Sequence, residues 1–436
     1  MPRPRLLVVT RHSPLPENDG AGAYLFDLLS YLAANGITIE VAWVHAEGAF
    51  VRRGWWRVPR RIARVYRLKI IGSLAVGPFR FFWWGSYKAR VLSSVKALLI
   101  HTGLWRGVDH TASGAVAGTT PRTVYKITQP EPGPEWSALP TAAEARYFRE
   151  ERDHFKPDAL LANYCWMTPL LEGESGLNKL VLTHDVASHR LNLTPHSAAK
   201  VDHELSPATA EGERALLDRA DTILAISEDD AAAFRAMLPN KPVVVAPKAA
   251  AMLSAKGPAV RGRCLFVGGI NGPNRQGIEW FLERVWPIVH ASRPDATLHI
   301  CGGICELLPS APISGVSFRG RVPDLNSEYR DAEVVVVPLL QGTGVKIKLV
   351  EACSHGKACV TTPVGLQGLA FLRDAVLETI VPEEFAQSVL RILDDPSLRH
   401  ELSARTQARV SENLSPEKCF GAVLESLTRC NRQRGA

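Results

Sequence analysis

Pro338-Leu-Leu-Gln-Gly-Thr-Gly-Val-Lys-Ile-Lys-Leu-Val-Glu351 is the stretch whose residue types and spacing best suit chemistry. The apolar run before it, Glu333 to Pro338, reads as a buried strand. A glycine-bearing loop then opens a helix, whose first backbone N–H groups lack partners inside the helix and face whatever lies ahead. Gly342 and Gly344 let a ligand approach that backbone. Thr343 lies between them. Lys346 and Lys348 bring positive charge alongside, which suits a diphosphate. Glu351, further along the helix, can accept from two vicinal hydroxyls such as those of a ribose.

Such a loop works only where a sheet holds it, and the surrounding pattern predicts sheets. Leu6 to Thr10 reads as a strand, Tyr24 to Asn35 as a helix stopped at Gly36, and Ile37 to Val44 as a second strand. This is a βαβ unit and implies a parallel sheet. Further strands are expected at 159–163, 179–184, 222–227 and 242–247. Residues 248–262 carry Gly and Pro without a period and read as a linker. A second series follows, with strands at 264–267, 297–301, 316–318, 333–338, 358–362 and 378–381. Helices are expected at 278–292, 325–330, 345–355 and 383–393. The expected architecture is α/β, two doubly wound Rossmann-like domains facing a cleft. The first would span 1–247 and the second 263–412. A last helix, within 413–436, would cross back to the first domain.

The composition is that of a soluble globular chain: 436 residues, 46% hydrophobic and 22% charged. Disorder is excluded. No run reaches the roughly 20 apolar residues of a membrane-spanning helix. The first apolar run is too short for a signal peptide, so a cytoplasmic protein is expected. The eight cysteines show no CxxC spacing and read as small core residues, neither a disulfide framework nor a zinc site. The net charge of +7 hides an asymmetry, because residues 48–108 hold thirteen Lys and Arg and no Asp or Glu. Arg57, Arg60, Arg61, Arg64 and Arg67 recur at helical spacing. Aromatics interleave them: Trp55, Trp56, Tyr66, Phe79, Phe81, Phe82, Trp83, Trp84 and Tyr87. Arginine with Trp and Phe suits the headgroup level of an anionic bilayer, at about 1 kcal/mol per cation. A nucleic-acid groove, or a solvated basic face over core aromatics, would use the same residue types.

The Pro338–Glu351 stretch and its continuation to Leu369 resemble the donor half of retaining glycosyltransferases of the GT-B fold, the group 1 or family four type. Cys264-Leu-Phe-Val-Gly-Gly-Ile-Asn-Gly-Pro-Asn274 resembles the first strand and loop of that half. Val316 to Asp324 resembles its base-recognition loop. Pro16 to Gly22 is similar to the glycine loop of the N-terminal half, and Thr183-His184-Asp185 to its histidine-bearing strand end. Asp218 to Glu228 resembles the strand before the interdomain crossing.

The resemblance implies a nucleotide-diphosphate sugar as donor, no required divalent metal or other cofactor, and retention of anomeric configuration. It implies that Glu351 holds the ribose, His184 lies beside the transferred sugar, and Lys348 contacts the diphosphate. Gly20, Gly22, Gly268, Asn274, Gly342, Thr343, Gly344, Val345 and Lys346 would surround the donor, with Arg321 and Val322 bordering the base. Asp185 reads as a cap or structural acceptor. Two departures stand out. Thr343 occupies the position eight before Glu351, where many members carry a sugar-binding glutamate. Arg275 replaces a frequent lysine and becomes a candidate substitute. The expected acceptor is a glycan or lipid-linked sugar of surface polysaccharide. The expected location is the inner face of an anionic membrane, with no nucleic acid as partner. An epimerase of related fold, a non-catalytic binding protein and a nucleic-acid binder are the other readings.

Overall fold

A computed structural model describes residues 3–16, 20–45, 55–82, 138–173, 176–192, 209–250, 252–253, 257–309 and 311–434. The N-terminal sheet contains β1 (Arg5–Thr10), β2 (Thr38–Trp43), β4 (Arg67–Ile70), β7 (Ala159–Asn163), β8 (Asn178–Leu182), β9 (Thr222–Ala225) and β10 (Val243–Val245). Its order is β10-β9-β8-β7-β1-β2-β4, and its pairs are parallel. The C-terminal sheet contains β11 (Arg263–Val267), β12 (Thr297–Cys301), β13 (Val316–Gly320), β14 (Val334–Val337), β15 (Ala358–Thr361) and β16 (Leu377–Glu378). Its order is β13-β12-β11-β14-β15-β16, again parallel. Both sheets are buried on two faces, which is why strands such as Val334–Val337 read as unbroken apolar runs. The doubly wound architecture is therefore present twice.

Helices cover both sheets. The N-terminal ones are α1 (Gly20–Ala34), α2 (Arg60–Val65), α3 (Ala142–Phe155), α4 (Ala187–Asn192), α5 (Ala210–Leu217) and α6 (Glu228–Met237). The C-terminal ones are α7 (Gly272–Trp280), α8 (Trp286–Ser292), α9 (Leu325–Asp331), α10 (Ile347–Ser354), α11 (Pro382–Asp394) and α12 (Pro396–Asn413). A final helix, α13 (Pro416–Arg434), packs against α1, and Phe420 lies against Tyr24 and Tyr31. It is tied to the N-terminal sheet by Asn178 Nδ2, which donates to the Ser426 carbonyl at 3.2 Å.

Several boundaries differ from the sequence reading. The helix expected from Ile278 starts six residues earlier, at Gly272, because Asn271 caps it and Pro273 occupies its first turn. It passes through a π-turn at Phe281–Val285 before Pro287, whose missing N–H cannot continue the ordinary ladder. Gly20 and Gly22 are not in a loop but form the first turn of α1. Val345 and Lys346 precede α10 and do not lie within it.

The basic segment also differs from the expected helix. Pro59 starts α2 and the chain is extended again by Tyr66, so Arg57 and Arg67 lie on strands. A small antiparallel sheet, β3 (Trp55–Arg57), β5 (Ser73–Val76) and β6 (Phe79–Phe82) in the order β3-β6-β5, flanks β4. Trp83, Trp84, Tyr87, Lys88, Arg90, Lys96 and Arg106, like Arg52 and Arg53, lie outside the described residues. Among the described residues no helix is long and apolar enough to cross a membrane. The described cysteines are all free, and all but Cys305 are buried.

Candidate active site

In a doubly wound sheet, ligands bind beyond the strand C-termini where the order reverses. In the N-terminal sheet that point lies between β1 and β7, and in the C-terminal sheet between β11 and β14. The two points face each other. A Cβ on Gly344, at the C-terminal point, would stand 3.0 Å from the His184 carbonyl of the other domain. Gly344 has φ of +69°, so this approach needs a residue without a Cβ.

On the N-terminal side, His184 follows β8 and is fixed by a relay of side chains. Thr10 Oγ1 donates to the His12 carbonyl at 2.8 Å and accepts from Asn163 Nδ2 at 3.0 Å. Asn163 Oδ1 must then accept from His184 Nε2, 2.8 Å away. The network thereby selects the tautomer protonated at Nε2. Tyr164 stacks on the imidazole at a centroid distance of 4.2 Å, and Tyr24 meets its edge at 5.5 Å. Tyr164 holds φ 78°, ψ 149°, a region that side-chain-bearing residues avoid at a cost of about 1–3 kcal/mol. The strain turns its ring into the stack between His184 and Trp166. Sequence reading missed Tyr164, Asn163 and Thr10. Their only signal is position, at the C-terminal ends of β1 and β7.

On the C-terminal side, Lys348 sits in the first turn of α10 with its ammonium over the Phe266 ring at 4.9 Å and bonded to Asn274 Oδ1. Asn274 Nδ2 in turn donates to the Gly269 carbonyl at 2.9 Å. Gly268 is required beside Phe266, since a Cβ there would stand 2.8 Å from the ring. Burial pushes the Lys348 ammonium down to about 7, with Lys346 nearby acting in the same direction. Glu351, one turn further, is raised by burial, while Lys248 and the Tyr329 hydroxyl at 3.4 Å draw it back. It also lines a cavity of about 610 Å³ on the hinge side, between α1, the linker, α10 and α13.

Lys346 behaves differently from expectation. Its Nζ donates to the Thr343 carbonyl (2.9 Å), the Gly344 carbonyl (2.6 Å) and Gln367 Oε1 (3.3 Å). An ammonium has three protons; two go to carbonyls of the loop and the third to Gln367. Lys346 thereby buttresses the glycine loop. Arg275 is exposed and pairs with Glu279 at 2.8 Å, one turn along α7. Asp185 acts as a structural acceptor. Its Oδ2 accepts from Thr343 Oγ1 at 3.1 Å, across the domain boundary.

Gly20, at the N-terminus of α1, lies close to Ile347 at the start of α10, so two helix N-termini converge in the cleft. Gly342 lies over Pro273 of α7. Arg321 reaches toward Gly303 after β12 and pairs loosely with Glu306 at 3.7 Å, while Val322 packs on the core. Among the described residues no group of three or more His, Cys, Asp or Glu side chains could hold a metal ion.

Residues 261–395 match the family model described as Glycosyl transferases group 1. That stretch runs from β11 to the end of α11. A Klebsiella pneumoniae protein described as an uncharacterized 44.6 kDa protein in the cps region is 29% identical over 183 residues, which is 37% of this chain and 45% of that protein. The chain thus spans under half the length of this curated relative. Sucrose-phosphate synthase of Thermosynechococcus elongatus aligns with a TM-score of 0.60 at 17% identity, covering 99% of each chain. A mutant of S. aureus TarM, solved with fondaparinux, alpha-GlcNAc-glycerol and UDP, aligns with a TM-score of 0.66 at 9% identity, covering 97% of this chain and 99% of that one. These likenesses establish the GT-B fold.

Proposed function

We propose that the protein transfers a sugar from a nucleoside-diphosphate donor to a glycan or lipid-linked acceptor, with retention of configuration, in surface-polysaccharide synthesis. The observation that carries this reading is Lys348, a buried amine bonded to Asn274 and lying over the Phe266 ring, placed where two helix N-termini converge. A diphosphate would supply the charge that such a lysine lacks. The K. pneumoniae relative's place in a cps region supports the polysaccharide context, and UDP in the TarM mutant complex supports the nucleotide class.

In the reaction, the bond between the anomeric carbon and the β-phosphate oxygen breaks as the acceptor oxygen bonds to that carbon from the same face. The acceptor proton passes to the departing diphosphate. Lys348 and the N–H groups around Gly344 and Val345 stabilise the negative charge that builds there. Glu351 accepts from the ribose hydroxyls. His184, locked in one tautomer, borders the sugar. Thr343 and Asp185 together take the place of the glutamate that many family members use, so a carboxylate reaches the sugar from the opposite domain. Domain closure excludes water that would hydrolyse the donor.

The test is a thermal-shift panel of nucleoside diphosphates and their sugars on wild type and Glu351→Ala. One donor at about 100 times its Kd stabilises wild type by about 2.7 kcal/mol and the variant far less. If no member of the panel moves wild type, the reading fails.

A further inference from the structure

Among the described residues, ten large apolar side chains are exposed, and four of them, Trp55, Leu74, Val76 and Phe81, belong to the small sheet β3-β6-β5. Their exposures are 51%, 50%, 54% and 42%. The pairing places them together. Trp55 and Leu74 flank Phe81 in one cross-strand row, and Arg57 and Val76 flank Phe79 in another. Alternate residues of a strand share a face, so both rows lie on the same side. Ring centroids are 6.1 Å apart for Trp55 and Phe79, and 6.4 Å for Phe79 and Phe81.

The opposite side anchors the sheet. Arg80 is buried there, with Nε donating to the Leu68 carbonyl at 2.9 Å and Nη1 to the Gly77 and Phe79 carbonyls at 3.0 Å each. Phe82 is buried too, and Trp56 packs on the core. A solvent-facing antiparallel sheet usually turns its polar residues outward. This one turns its apolar residues outward and buries an arginine.

Charge selects the occupant. Residues 55–82 hold seven Lys and Arg and no Asp or Glu. Arg57 lies in the apolar face, and Arg60, Arg64 and Arg67 are exposed on the adjoining α2 and β4. Lys69 is not part of this set, since it pairs with Glu151 at 3.2 Å. A second copy would set arginine against arginine with no acid to answer it. Nucleic acid would stack on the rings but gain little from Leu74 and Val76. An anionic bilayer satisfies both kinds of residue, apolar side chains at the acyl boundary and guanidinium groups on lipid phosphates.

The geometry points to this face as a seat on an anionic membrane, with Trp55, Phe81, Leu74 and Val76 entering the headgroup region. The inference stands apart from the donor chemistry, so either can fail alone. The full chain is sedimented with vesicles of phosphatidylcholine, with and without phosphatidylglycerol. Wild type follows the anionic vesicles only, and less so as salt rises. Arg60→Gln and Arg64→Gln each weaken binding about fivefold. Trp55→Ser with Phe81→Ser weakens it about tenfold or more while the melting temperature holds. A Leu74→Cys variant labels with a water-soluble maleimide and is protected by anionic vesicles. Wild-type binding by the serine variant would overturn the proposal. So would a Leu74→Cys thiol shielded without lipid, or a dimer that the serine variant dissociates.

Discussion

Lys348 is a buried ammonium whose proposed contact with a diphosphate can be read through its protonation. In the empty protein its ammonium is held down at about 7 by burial. In the unfolded chain it keeps the ordinary lysine value near ~10.4. Between those values the unfolded chain holds the extra proton, so this group's contribution to stability rises with pH across that window. A bound diphosphate favours the charged form. Donor binding above pH 7 should therefore take up a proton, and affinity should fall as pH rises. Calorimetry in buffers of different ionisation enthalpy reads this directly, and no proton uptake would refute the lysine's role. Lys348→Met should raise the melting temperature of the empty protein. It should also weaken donor binding about 10- to 100-fold, the worth of one charge-assisted hydrogen bond. Asp185 offers a sharper contrast. If its carboxylate meets the donor sugar, Asp185→Asn lowers affinity for the nucleotide sugar several-fold and leaves the nucleoside diphosphate unchanged. Equal losses for both ligands would make it only an interdomain latch.

Among the elements, α7 and α10 hold Asn274 and Lys348 of the proposed donor site in their first turns. Asn271 Oδ1 accepts from Asn274 N at 2.8 Å and so places Asn274 under Lys348. Asn271→Ala should cost about 1 kcal/mol in urea unfolding. Donor affinity should fall with it, because Asn274 loses its register. A variant with full stability and full affinity would show that the cap does not set the site. Elements were legible where packing is local and periodic. The strand Thr297–Cys301 is legible to the residue because Leu298, Ile300 and Cys301 make a short apolar run broken only by His299. Helix α12 escaped notice because it buries little more than Leu402, Thr406 and Val410 along 18 residues. The start of α7 was hidden by treating Asn271 and Pro273 as loop residues, when both are helix-start signals.

For the whole molecule, the decisive contacts run between domains. Gly344 lies against the His184 carbonyl, Thr343 bonds Asp185, and the Gly368 N–H donates to Asp229 Oδ2 at 3.1 Å. Gly344→Ala would force a side chain into a left-handed backbone, at about 1–2 kcal/mol, and into the opposite domain. It should raise the donor KM more than it changes the unfolding midpoint. Scattering should show a variant that stays expanded with nucleoside diphosphate when wild type compacts. Equal compaction in both would mean that this contact does not govern closure.

By itself the sequence determined what depends on near neighbours. The parallel strands follow from apolar runs, the glycine loop from its composition, and the joint presence of Lys348 and Glu351 on one helix from a spacing of three. Tertiary structure decided what each charged group does. Two lysines two residues apart look equivalent in sequence, yet one is bonded by its own loop and Gln367 while the other bonds Asn274 and lies over Phe266. Asp185 and Thr343 are 158 residues apart and meet only because two domains close. Tyr164 joins His184 through a strained backbone that no local preference would choose. The aromatics of the basic segment divide between core and surface through strand pairing, which residue order alone does not specify.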